Sequence, residues 1–123
     1  MIKNIITLLL VGLSYQLTAQ AQLKFTDTKK SFGFVKQGEQ VKLTYQFTNI
    51  GNEPLFILDA TATCSCTEAT WSKEPTLPGK SGSIDVLFDT SAAHDRQDRT
   101  VEVFSSDVKS PQKIRFKGVV LKK

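Results

Sequence analysis

Apolar residues recur at every second position through most of this chain. In QVKLTYQFTN, Val41, Leu43, Tyr45 and Phe47 fall on one side, with Lys42, Thr44, Gln46 and Thr48 on the other. That is the alternation of an antiparallel strand with one face on a core and one face in water. The pattern returns as Ile84, Val86 and Phe88 in SIDVLFD, as Val101 and Val103 in RTVEVFS, and as Ile114, Phe116 and Val120 in KIRFKGVVL. No window sustains the 3.6-residue period of a helix. Gln37-Gly38-Glu39, the stretch from Asn49 to Pro54, Pro78-Gly79-Lys80 and Lys109-Ser110-Pro111 supply turn residues between the runs. Strands are therefore expected over residues 23–27, 32–35, 40–49, 55–63, 81–89, 99–105 and 112–121. The polar stretch SAAHDRQDR, residues 91–99, reads as a loop. Seven short strands in about a hundred residues predict an all-β, immunoglobulin-like antiparallel β-sandwich.

The first residues follow a different rule. Lys3 precedes an apolar run from Ile5 to Leu13, and Ala19-Gln20-Ala21 has the small-x-small form of a cleavage site. Residues 1–21 read as a secretory signal peptide and residues 22–123 as one domain; a cut after Ala19 is the alternative. The apolar run is shorter than the roughly 18 to 20 residues that span a bilayer. The expected product has no membrane span and is exported to the periplasm or the exterior. Sixteen basic residues stand against twelve acidic ones in the full chain. The basic residues are scattered along the sequence, and that distribution argues against a nucleic-acid site.

Four segments taken together, SFGFVKQGEQVKLTYQFTNIGNEPLFI, TCSCT, EPTLPGKSGSIDVLFDT and IRFKGVV, resemble the DUF1573 family of secreted bacterial proteins, whose function is uncharacterised. The resemblance extends over essentially all of residues 22–123. It implies an immunoglobulin-like sandwich, similar in architecture to domains related to pilus-chaperone and ciliary-protein modules. Cys-Gly-Cys-Thr, the family's usual motif, stands here as Cys64-Ser65-Cys66-Thr67. Serine in the glycine position puts a tight turn there in question. The glycine-containing loop of the family is replaced by His94-Asp95-Arg96-Gln97-Asp98.

Cys64 and Cys66 are the chain's two cysteines, and three kinds of chemistry fit them. Two strand steps cover about 6.6 Å, at the outer limit of a bridgeable Cα pair, so a disulfide requires a bulge or turn. Closing a three-residue loop contributes only about 1.6 kcal/mol in the chain-entropy model, so such a bond does little for stability. A strained bridge of this kind is readily reduced, which suits a redox pair. As thiolates, Cys64 and Cys66 suit a soft metal, copper(I) or zinc, although a closed zinc site needs more ligands than the single histidine, His94, supplies. The plain alternative is a pair of small, half-buried side chains.

Trp71 is either a recognition residue or a lid on the core. Lys113, Arg115 and Lys117 alternate with Ile114 and Phe116 and should line one exposed face of the last strand. Such a ladder either engages an anionic glycan or an acidic partner, or protects a sheet edge from pairing with other chains. No nucleophile-base pairing, phosphate loop or carboxylate pair is present in the sequence pattern, so no catalytic residue is assigned. The function expected from the sequence is that of a non-catalytic binding domain for a protein or surface polymer, without a cofactor. The alternative is a metal-binding or redox protein centred on Cys64 and Cys66.

Overall fold

The alternating segments pair into two four-stranded sheets in a computed structural model that describes residues 19–123. Residues 1–18, which hold most of the expected leader, lie outside the described residues. The strands are β1 (Leu23–Phe25), β2 (Lys29–Lys36), β3 (Gln40–Asn49), β4 (Ile57–Ala62), β5 (Thr67–Trp71), β6 (Ser81–Asp89), β7 (Asp95–Ser105) and β8 (Gln112–Leu121). One sheet has the order β1-β3-β6-β5 and the other β2-β8-β7-β4. The expected immunoglobulin-like sandwich is the observed fold, with eight strands. All pairs are antiparallel except β2 with β8, which run parallel along one edge of the second sheet.

Strands β3, β6 and β8 match the sequence expectation residue for residue. Strands β1, β2 and β4 keep their expected places with shifted ends, and two segments differ in kind. TEATW forms β5, an edge strand on β6, although its inward residues are Thr67, Ala69 and Trp71, which carry a weak apolar signal. Residues 95–99, expected as loop, are the first part of β7. Their inward positions hold Gln97 and Arg99, so the alternation is disguised. Gln97 is buried and donates from Nε2 to the His94 carbonyl at 2.8 Å, while the Arg99 guanidinium stacks 5.1 Å from the Phe88 ring.

The core lies between the sheets. Phe88 of β6 meets Phe116 of β8 edge-on with ring centroids 5.4 Å apart, and Phe32 of β2 stacks on Phe88 at 5.9 Å. Each such ring contributes roughly 1.5 to 3 kcal/mol by leaving water. Tyr45 is fully buried on β3, and its hydroxyl donates to the Arg115 carbonyl of β8 at 2.8 Å, tying one sheet to the other. Burial pushes its phenol up to about 12. Gly118 of β8 is required by the same packing, because a Cβ there would lie 2.3 to 2.5 Å from the Phe32 ring.

The chain changes sheets at both edges. On one edge Thr26 bonds to β3 through its N–H and Thr28 bonds to β8 through its carbonyl, so residues 26–28 make the crossing. On the other, residues 63–66 carry the chain from β4 to β5. Along β2, a bulge between Ser31 and Gly33, with Gly33 at φ 70°, turns Phe32 inward while Phe34 faces out beside Val119. Phe34 is 75% exposed.

Candidate functional site

The two cysteines form a disulfide within the crossing turn, with their Cα atoms 5.1 Å apart. This is the turn that the ideal strand spacing lacks, and it closes by a Thr67 N–H donated to the Cys64 carbonyl at 3.2 Å. Ser65 does not need glycine's freedom: among the described non-glycine residues, positive φ occurs at Asp95. The Cys66 N–H also points at Cys64 Sγ, 3.1 Å away, and the Asp89 N–H donates to the Cys66 carbonyl at 2.8 Å. Both cysteines are half-buried, with Cys66 packed against the core. In this state their sulfurs are bonded to each other, so the metal reading requires prior reduction of the pair, whereas a redox pair would act from this bridge by accepting electrons from another thiol.

Trp71 stands on the same seam, farther along β5. It is half-buried against the core, its Nε1–H donates to the Ile57 carbonyl of β4 at 3.2 Å, and Lys73 Nζ lies 4.1 Å from its ring centre. The indole thus bridges the two edge strands. His94 is exposed, with Asp95 Oδ2 at 3.8 Å from its Nε2. Among the described residues, no three His, Cys, Asp or Glu side chains gather as a metal site would require.

The end of the sandwich opposite the Cys turn has a different character. Asn49, at the end of β3, is fully buried and donates from Nδ2 to the carbonyls of Glu53 at 2.7 Å and Thr76 at 2.9 Å. Its Oδ1 accepts the Gly51 N–H at 2.9 Å. Asp107, also buried, accepts the Leu23 N–H at 2.8 Å and the Lys109 N–H at 2.9 Å. These two side chains fix the loops following β3, β5 and β7. The loops carry Ile50, Phe56, Leu77 and Val108, four of the seven large apolar side chains exposed among the described residues. A shallow depression of about 310 Å³ lies between Ile50 and Val108.

A second surface covers the outer face of the β2-β8-β7-β4 sheet. Lys113, Arg115 and Lys117 lie on it, but β8 is an inner strand between β2 and β7, so the ladder protects no edge. Arg115 is held by Asp98 of β7, whose carboxyl stays below the usual carboxylate range because of that guanidinium. The apolar loop end and Phe34 both escaped the sequence reading. Their signal was the placement of Ile50, Leu77 and Val108 inside turn sequences, where no strand alternation accounts for them, together with the phenylalanine that follows Gly33.

Comparison with known proteins bears on the fold. A search of curated proteins finds no match. Among solved structures, the chain resembles a protein of unknown function from Porphyromonas gingivalis W83, at 16% identity and TM-score 0.72. That match covers 87% of this chain and 50% of the other, so the present chain spans half of that relative. It is similar to the ASH/PapD-like domain 7 of human CEP192, at 9% identity and TM-score 0.67, covering 89% and 92% of the two chains. A secreted serine protease, VesC from Vibrio cholerae, matches at 16% identity and TM-score 0.59 over 80% of this chain and 23% of the protease. At these identities the likeness is one of fold. No helix among the described residues is long and apolar enough to cross a membrane. The sandwich, the Cys-x-Cys turn and a family match over residues 23–120 agree: the chain belongs to the DUF1573 family, proteins of unknown function.

Proposed function

We propose that this chain is an exported, non-catalytic domain that binds another protein through the loop end containing Ile50, Phe56, Leu77 and Val108. The observation that carries this reading is the pairing of exposed apolar loops with a buried polar network beneath them. Loops fixed in advance lose little freedom on binding, and clustered apolar side chains gain most from leaving water. A non-catalytic role is supported by the places of the shifted titratable groups: burial holds the Tyr45 phenol neutral in the core, Asp98 and Arg115 are paired with each other, and Asp89 is held by Ser91. Export is supported by the leader-like sequence of residues 1–21. A photo-crosslinking residue at Val108 is expected to capture one defined protein in intact cells, while the same residue at Thr44, on the opposite sheet face, captures none. Equal labelling from both positions, or none from Val108, overturns the reading.

A second reading places thiol chemistry at Cys64 and Cys66. It is favoured by the Cys66 N–H aimed at Cys64 Sγ, which would stabilise a thiolate left on Cys64 after attack by another thiol on Cys66. The reduced pair would offer two sulfur ligands to copper(I) or zinc. Mass spectrometry after alkylation, on protein taken from its native compartment, tests both forms. A metal adduct lost in Cys66→Ser, or a partly reduced pair, supports thiol chemistry; a fully oxidised pair resistant to a thiol reductant excludes it.

A further inference from the structure

We infer that the outer face of the β2-β8-β7-β4 sheet is a binding site for an acidic polysaccharide, with Phe34 as the platform for a sugar ring. Six basic side chains point outward on this face: Lys29, Lys36, Arg96, Lys113, Arg115 and Lys117. They face three acids, Asp59, Asp98 and Glu102. Asp98 is occupied by Arg115. None of the other five bases has a carboxylate within salt-bridge distance among the described residues. Lys117 and Lys113 stand directly across from Asp98 and Glu102 on β7, so six bases against three acids leave an excess of three positive charges on the face. Four of the six, Arg96, Lys113, Arg115 and Lys117, lie on the inner strands β7 and β8, where no edge needs protection.

Phe34 gives the charge a direction. Phe34, Val119 and Arg96 sit side by side across β2, β8 and β7, with Lys117 in the adjoining row. A shallow depression of about 350 Å³ runs between these rows, lined by Phe34, Arg96, Lys117 and Asp98, whose carboxylate is held by Arg115. Outward residues on one strand recur about every 6.6 Å, and neighbouring strands lie about 4.8 Å apart. The surface is thus open along the strands and suits a chain-like ligand. A pyranose presents an apolar C–H face that an aromatic ring covers, and a uronic acid adds a carboxylate for Arg96 or Lys117. An acidic peptide would be satisfied by the bases without Phe34. Single-stranded nucleic acid stacks successive bases on several aromatics, and on this face only Phe34 is openly exposed, with Phe104 half-buried.

Affinity electrophoresis of the purified protein through gels containing polygalacturonate is the test, with dextran, poly-glutamate and single-stranded DNA as parallel probes. Retardation is expected in polygalacturonate at low salt and absent in dextran. Phe34→Ala should weaken it about fivefold, the effect of one aromatic contact, and Phe34→Tyr should restore it. Arg96→Ala combined with Lys117→Ala should weaken it about tenfold and flatten its salt dependence. Lys42→Gln, on the opposite face, should leave it unchanged. Equal retardation by poly-glutamate or DNA, indifference to Phe34→Ala, or no retardation in polygalacturonate overturns the proposal. The capture of a protein at Val108 does not depend on any of these outcomes, so the two readings fail separately.

Discussion

The two outer faces of the sandwich are built on the same alternation and end with opposite character. On the β1-β3-β6-β5 sheet, Lys24 and Lys42 stand against Glu68, Asp85 and Asp89. Lys42 lies 3.8 Å from Asp85, which also accepts a hydrogen bond from Thr44 Oγ1 at 2.7 Å. The rest of that face is largely Thr, Ser and Gln. On the other sheet most bases lack a carboxylate partner, and an exposed Phe34 stands among them. Both inner faces are apolar and meet in one core. Folding constrains the inward positions alike in both sheets, while the outward positions are free to diverge. Divergence there is the mark of a surface that meets something.

The largest expected effect distinguishes the sheets through their inward glycines. Gly118→Ala forces a Cβ into the Phe32 ring and should cost about 3 kcal/mol of stability by chemical denaturation, loosening β2 and the Phe34 platform with it. Gly82→Ala on the other sheet meets the far end of Phe47 at 2.7 Å and Thr76 Oγ1 at 3.2 Å, both side-chain atoms that can shift, and should cost about 1 kcal/mol. Equal losses would show that Phe32 yields as easily as Phe47.

Next comes the bond that joins the sheets. Tyr45 is neutral in the fold up to about pH 12, whereas an unfolded tyrosine ionises near pH 10. Its contribution is complete below pH 10 and is lost as pH rises towards 12. Urea unfolding should therefore report a fall of about 2 kcal/mol across that window, and Tyr45→Phe should remove the tyrosine part of the slope. Replacing Cys64 and Cys66 together by serine should cost at most about 1.6 kcal/mol, because the loop they close is so short.

The smallest stability effect belongs to Asp98→Asn. The ion pair it breaks lies at the surface, so melting near neutral pH should scarcely change. The low carboxyl of Asp98 implies that this contribution is present at neutral pH and lost as acid protonates it. Freeing Arg115 should also strengthen retardation in polygalacturonate, sharpening the contrast between the faces.

Much of this architecture was legible because β3, β6 and β8 bury alternate residues that are nearly all apolar. Where the inward side chains are Thr67 and Ala69, or Gln97 and Arg99, burial depends on partners distant in sequence, and local pattern could not reveal it. The basic ladder was visible as residues, but the choice between a protective and a binding role depends on whether β8 is an edge, and strand order is a non-local property. Cys64 and Cys66 were recognisable as a pair. Whether they bridge depended on the turn, which the serine at position 65 left open.

Gln20 and Ala21 bear on where an exported chain would be cut. The N–H of Gln20 donates to Asn52 Oδ1 at 2.7 Å, its carbonyl accepts the Asn52 N–H at 2.9 Å, and Ala21 is a core residue. A leader removed after Ala21 would take both of these hydrogen bonds to Asn52 and a buried methyl away with it. A leader removed after Ala19 would leave them in place. We propose that, if a leader is removed, the cut follows Ala19 and not Ala21, so that the mature N-terminal mass would begin at Gln20. Gln20 would then be held on the domain through Asn52, beside the loop that carries Ile50.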